Sequence, residues 1–199
     1  MTVRCRRSWP LLVLWLTAAP LPASAADAEG RFAVDGVTTQ SCRDFSEAHA
    51  DRDSPRAAFM IGWLAGLISG TNVHAPKTYD LTPWETIELL GLKLDRYCME
   101  RPDDRFAEAA LRLVATLAAD RLERESPLVS VRYKDQAVYI YAEVLSRVAE
   151  RLQQAGHPIP TPPGSFDNDF AKAIIDYQRA HDLPRTGLPD QVTLNLLMR

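Results

Sequence analysis

Paired carboxylates at Asp103-Asp104 and Asp167-Asp169 are the kind of arrangement from which general acid–base chemistry is built, and His49, His74, His157 and His181 add four imidazoles. Neither set is organised as a catalyst. Each acidic pair falls where a helix is expected to begin, and the helix dipole alone favours acids there. The histidines are isolated, without the H-x-x-H or C-x-x-C spacing that holds a metal. No G-x-S-x-G elbow and no glycine-rich phosphate loop accompanies them. These residues point to a protein that binds rather than catalyses, with no catalytic residue, metal or cofactor expected.

The candidate binding residues are Asp167, Asn168, Tyr177, Gln178, Arg179 and Arg185. Tyr177 and Gln178 offer an aromatic face and an amide, groups that recur in carbohydrate sites. The favoured reading of that pair is packing, with Tyr177 in a three-helix core and Gln178 capping backbone in the preceding loop. The other four flank a helix on its expected solvent side. Asp167 is a plausible N-cap, Asp169 suits the positive end of the dipole, and Phe170, Ile174, Tyr177 and His181 share one face. The spacing predicts a helix of about four turns, stopped at Leu183-Pro184, with Arg179 and His181 at its negative end. Thr186-Gly187 predicts a turn, and Pro189 the first position of another helix with Val192, Leu196 and Leu197 as its apolar stripe.

The run Ala173-Ile174-x-x-Tyr177-Gln178, followed by Asp182-Leu183, Thr186-Gly187-Leu188 and Thr193-Leu194, resembles the peptidoglycan-binding-like domain, a three-helix module of bacterial envelope proteins. Leu152 to Gly156 supply the Leu-x-x-x-Gly ending of the helix that precedes the motif in that family. Where the family carries an Asp-Gly and a second glycine, this chain reads Phe166-Asp167-Asn168-Asp169-Phe170. The resemblance implies affinity for peptidoglycan or an envelope protein, and no chemistry.

The other end of the chain predicts export. Arg4, Arg6 and Arg7 form a positive start, Leu11 to Ala19 an apolar core, and Ala23-Ser24-Ala25 a cleavage site, so residues 1–25 read as a signal peptide cleaved near Ala25. Arg6-Arg7 hint at the twin-arginine route, but the Ser-Trp-Pro that follows fits general secretion better. Of 23 Lys and Arg, three lie in that peptide, leaving 20 against 26 acidic residues, a net charge of −6. Such a balance is poorly suited to nucleic acid or anionic lipid. Residues 128–199 hold eight basic and eight acidic groups, so the excess sits between residues 26 and 127, with 18 acids against 12 bases.

Cys5 leaves with the signal peptide, and Cys42 and Cys98, the remaining pair, are expected to form a disulfide in an oxidising compartment. Between them Ser54-Pro55 opens a helix with Phe59, Trp63, Leu64, Leu67 and Ile68 apolar and Gly62, Gly66 and Gly70 at every fourth position. That spacing admits a close helix neighbour; a membrane dimer is one reading and a buried core helix the favoured one, leaving no membrane span after signal cleavage. Thr82-Pro83-Trp84-Glu85 reads as a capped helix start for Ile87, Leu90, Leu94 and Tyr97. Arg101 to Asp104 open a third helix carrying Phe106, Ala110, Leu113, Val114 and Leu117. Ser41-Cys42-Arg43-Asp44-Phe45, the Gly-Trp-Leu-x-Gly helix, Tyr97-Cys98 and Phe106-x-x-Ala109 resemble the HdeA-type periplasmic helical fold. Its members include acid-stress chaperones, and relatives of similar layout are immunity proteins that bind secreted toxins.

Val129, Val131 and Tyr133 alternate with polar residues, predicting a short strand or an extended linker, and Val138, Tyr141, Leu145, Val148 and Leu152 predict a helix from Asp135 to Ala155. Residues 157–164, with four prolines, predict a loop. The expected fold is all-α: a flexible start (26–40), a small disulfide-tied helical bundle (41–127) and a three-helix peptidoglycan-binding-like module with its lead-in helix (128–199). The function expected is a non-catalytic periplasmic protein that binds peptidoglycan or an envelope partner through the module and a second partner through the bundle. An acid-stress chaperone and an immunity protein are the alternatives.

Overall fold

In the computed structural model, the described residues are 27, 29, 31–51, 53–159 and 165–199. The expected signal peptide lies outside them, as does most of the proline-rich loop. The chain forms two compact units, Met1–Ala33 and Val34–Arg199. In the first, the Asp27 carboxylate accepts from the Glu29 and Arg31 backbone amides and pairs with the Arg31 guanidinium at 3.0 Å.

The second unit is mostly helical. Among its described residues are α1 (Cys42–His49), α2 (Pro55–His74), α3 (Ile87–Glu100), α4 (Phe106–Leu117), α5 (Ala142–Gln154), α6 (Asn168–Ala180) and α7 (Gln191–Leu197). One antiparallel hairpin, β1 (Leu128–Tyr133) and β2 (Gln136–Tyr141), corrects the all-α expectation. Val138 and Tyr141 were expected on a helix because Val138, Tyr141 and Leu145 follow one another at steps of three and four residues. They instead pair with Val131 and Leu128 across a Lys134-Asp135 turn in which Lys134 takes φ 54°. The helix begins only at Ala142, whose N–H donates to Pro127 O at 2.8 Å, and the next amide donates to Ser126 Oγ at 3.0 Å. Returning the chain through the hairpin thus supplies the cap that Tyr141 has no side-chain oxygen in place to give.

In the bundle, Ser41 and Asp44 form a reciprocal capping box for α1, and Ser54 with Pro55 starts α2 as the sequence predicts. Two starts differ from expectation. Thr86 caps α3 through Leu89 N, not Thr82, because Trp84 is drawn into the C-terminal core and the Glu85 side chain is buried against Lys93. The acidic pair expected in the first turn of α4 precedes that helix: Asp103 pairs with Arg43 at 2.9 Å and Asp104 accepts from Tyr97 Oη at 2.7 Å.

Cys42 and Cys98 are joined, linking α1 to α3 inside a core of Phe45, Met60, Leu64, Leu94 and Phe106. Val37 is fully buried in the same core and Asp35 O accepts from Trp63 Nε1 at 2.9 Å, so the stretch expected to be loose is packed from Val34 onward. The glycine stripe of α2 differs as well: a Cβ at Gly62, Gly66 or Gly70 would meet nothing within 4 Å, so that face is open and the buried face is Ala57, Met60, Leu64 and Ile68. No described helix is long and apolar enough to cross a membrane.

A second core holds Val144, Leu145, Val148 and Leu152 of α5, Phe170, Ile174 and Tyr177 of α6, and Leu194 and Leu197 of α7. The hairpin contributes Val131 and Ile140 to it, and the earlier part of the chain Trp84 and Leu122.

Candidate functional site

The candidate residues are carried by α6 and the loop after it. Asp167 caps α6, accepting from Phe170 N at 2.9 Å, and Asn168 is exposed on the first turn. Upstream, α5 ends in a Schellman motif: Gly156 takes φ 86°, its N–H donates to Gln153 O, and His157 N donates to Leu152 O. The Leu-x-x-x-Gly signature is therefore a helix stop. At the other end of α6, Asp182 takes the left-handed conformation at φ 55° and Leu183 N donates to Gln178 O at 2.8 Å. The stop expected at Leu183-Pro184 is made one residue earlier by the same device.

Gln178 is fully buried. Its amide nitrogen donates to Thr193 Oγ1 at 2.8 Å, Thr186 Oγ1 at 2.9 Å and Leu188 O at 3.2 Å, and its carbonyl accepts from Gly187 N at 3.0 Å. Asp190 closes the ring by accepting from Thr186 Oγ1, Thr193 Oγ1 and Thr193 N, the last being the N-cap bond of α7. Pro189 consequently stands before the cap of α7 rather than at its first position. Gln178 does cap backbone, but in the loop that follows α6. Every polar atom of its side chain is engaged within the protein, leaving none for a ligand.

Tyr177 is 4% exposed, with His181 at 4.4 Å and His157 at 5.8 Å between ring centroids. Burial pushes its phenol above the ordinary value, against a smaller pull from Arg199. On α7, Leu194 and Leu197 face inward with Thr193, whereas Val192, expected in the stripe, is exposed.

Arg179, 59% exposed in its side chain and 3.3 Å from Asp176, and Arg185, also exposed, lie toward the C-terminal end of α6. Asp167 and Asn168 are at the opposite end. Eleven residues separate Asn168 from Arg179, about 16 Å along the axis at 1.5 Å per residue. The structure thus does not gather the six candidates. It leaves two polar groups at each end of one helix and turns Tyr177 and Gln178 inward.

Beyond the predicted set, Tyr139 on β2 is 71% exposed, paired across the hairpin with Ser130 on the outer face. Residues 136–141 carry no polar–apolar alternation, so nothing local in the sequence marks Tyr139 as outward-facing. No group of three or more potential metal ligands occurs among the described residues.

Three helices joined by two Schellman stops and one buried glutamine make up the segment from α5 to α7. Residues 143–197 match the family described as a putative peptidoglycan binding domain. No curated protein and no solved structure matches the chain. The match spans α5 to α7 of the peptidoglycan-binding-like domain and stops short of the hairpin. Of its signature residues, Ala173, Ile174, Tyr177, Gln178, Gly187, Leu188, Thr193 and Leu194 are buried and build the scaffold, Leu183 and Thr186 are partly buried, and Asp182 is exposed.

Proposed function

We propose that this is a non-catalytic protein of the bacterial periplasm that docks on peptidoglycan, or on an envelope partner, through its C-terminal domain while the bundle of residues 41–127 engages a second partner. The observation that carries the reading is the match of residues 143–197 to a binding domain whose three helices share one core. Asn168 at one end of α6, and Arg179 and Arg185 at the other, are the exposed groups offered to sugar hydroxyls and stem-peptide carboxylates, with Tyr139 as an aromatic platform. The two arginines supply bidentate donors, and an exposed ring supplies apolar area at small entropic cost. Export follows from the positive start, apolar core and Ala23-Ser24-Ala25 site of the first 25 residues.

Co-sedimentation of the purified protein with peptidoglycan sacculi at neutral pH tests the reading. The protein is expected in the pellet, with the Arg179→Ala/Arg185→Ala double variant shifted toward the supernatant. Wild-type protein that stays wholly in the supernatant overturns wall binding and leaves an envelope protein as the domain's ligand.

A further inference from the structure

Away from the C-terminal domain, the end of α1 and the facing sides of α2 and α3 enclose a cleft of about 620 Å³, within the range of about 300–1,000 Å³ common for ligand sites. Its walls are aliphatic: Ala57 and Ile61 from α2, Ile87 and Leu92 from α3, with Leu92 59% exposed. A Cβ on Gly91 would stand 2.8 Å from Ile61 Cδ1 and 3.3 Å from His49 Nε2, so a side chain at that position would displace the ends of both.

The ionisable lining is three carboxylates and one imidazole. Asp51, Glu88, Asp95 and His49 border the cleft, and no described lysine or arginine does. Asp95 is four-fifths buried in its side chain; His49 Nδ1 lies 3.4 Å from one of its oxygens, and the other, Oδ1, has no hydrogen-bond partner. A carboxylate withdrawn from water and so thinly compensated leaves a negative potential at the back of an apolar cavity. The half of the chain that holds the cleft also carries the acidic excess, 18 acids against 12 bases over residues 26–127.

We propose that this cleft receives a segment of a partner protein in which a lysine or arginine is set between apolar side chains. The aliphatic walls reward burial of the flanking side chains, and the three carboxylates select the cation while repelling acidic segments. This gives the second partner of the proposed function a chemistry. It rests on that reading only in assigning the partner to the envelope, and wall binding is measured separately.

The test uses three short helical peptides with the same leucine pattern and with lysine, glutamine or glutamate at the remaining positions, titrated into the protein by calorimetry and followed by NMR at the methyls of Ile61, Ile87 and Leu92. The lysine peptide is expected to bind at least about tenfold more tightly than the glutamine peptide, and the glutamate peptide not to bind. Asp51→Asn/Glu88→Gln, both at exposed positions, is expected to erase most of that preference, and Leu92→Ser to weaken the lysine and glutamine peptides alike. Sacculus sedimentation of these variants is expected to match wild type. Equal binding of lysine and glutamine peptides, a preference that survives the double variant, or shifts confined to residues outside the cleft overturns the proposal. So does concentration-dependent self-association that Leu92→Lys abolishes, which assigns the cleft to a second copy.

Discussion

Gln191, on the last helix, accepts a hydrogen bond from the backbone N–H of Thr86 at 3.1 Å and donates its amide to the carbonyl of Trp84, more than a hundred residues earlier. One side chain thereby replaces the backbone pairing that a helix beginning at Thr82 would have provided. It holds the loop so that Trp84 enters the C-terminal core. Replacing Gln191 by Ala removes both bonds at a partly exposed site, and a loss of about 1–2 kcal/mol is expected, measurable by denaturant unfolding. Faster amide exchange at Thr86 should accompany it.

Gln178→Leu should cost more. It strands the buried Gly187 N–H and removes one hydrogen bond each from Thr186 Oγ1, Thr193 Oγ1 and Leu188 O around an apolar side chain in a fully buried site. A destabilisation of about 3 kcal/mol or more is expected. Any loss of ligand binding should track the fraction unfolded, and binding retained by the folded fraction would separate scaffold from contact surface.

Glycine substitutions should divide by environment. At Gly187, with φ 69°, a Cβ would lie 2.7 Å from the Tyr133 ring, so Gly187→Ala is expected to destabilise by about 2 kcal/mol or more. At Gly66 a Cβ meets nothing within 4 Å, and Gly66→Ala should stabilise by about 0.5–1 kcal/mol. Thermal melts of the two variants check both signs.

Glu85 introduces a pH dependence. Its side chain is 3% exposed, one oxygen meets Lys93 Nζ at 3.0 Å and the other has no hydrogen-bond partner. Burial pushes the carboxyl above its ordinary 4.5, with Lys93 opposing. The folded protein therefore holds this proton more tightly than the unfolded chain does. The stability the site contributes is present at and below pH 4.5 and is lost as pH rises through the raised value. Glu85→Gln should gain stability relative to wild type as pH rises above 4.5, read from unfolding midpoints across a pH series. A difference that shrinks over that range would contradict the assignment.

Local signals carried much of the architecture. Ser54 before α2 and Asp167 before α6 act as caps through their own side chains, and Cys42–Cys98 is the pairing expected of the two cysteines that lie after residue 25. Misreadings arose where distant residues set the local outcome. Thr82-Pro83-Trp84-Glu85 has the form of a helix start, but the burial of Trp84 in a core whose other buried members begin 38 positions later, at Leu122, outweighs it. Val138 and Tyr141 fit a helical period only because a strand runs straight into α5. The candidate site was the least accessible to such reasoning. Polarity does not distinguish Gln178, whose partners lie eight to fifteen residues on, from Arg179, its exposed neighbour. The cleft beside α2 needs three helices in place before its charges converge.

The clasp between Gln191 and the Trp84–Thr86 loop also sets an order of events during synthesis. Cys42 and Cys98 are both available once about half the chain has emerged, so the bundle can be covalently closed early. The loop before α3, by contrast, waits for a side chain that arrives only with the last helix. Until then the C-terminal core is without Leu194, Leu197 and Met198, and a chain arrested a few residues short of Gln191 would leave the Trp84 carbonyl and the Thr86 N–H without the side chain that holds them.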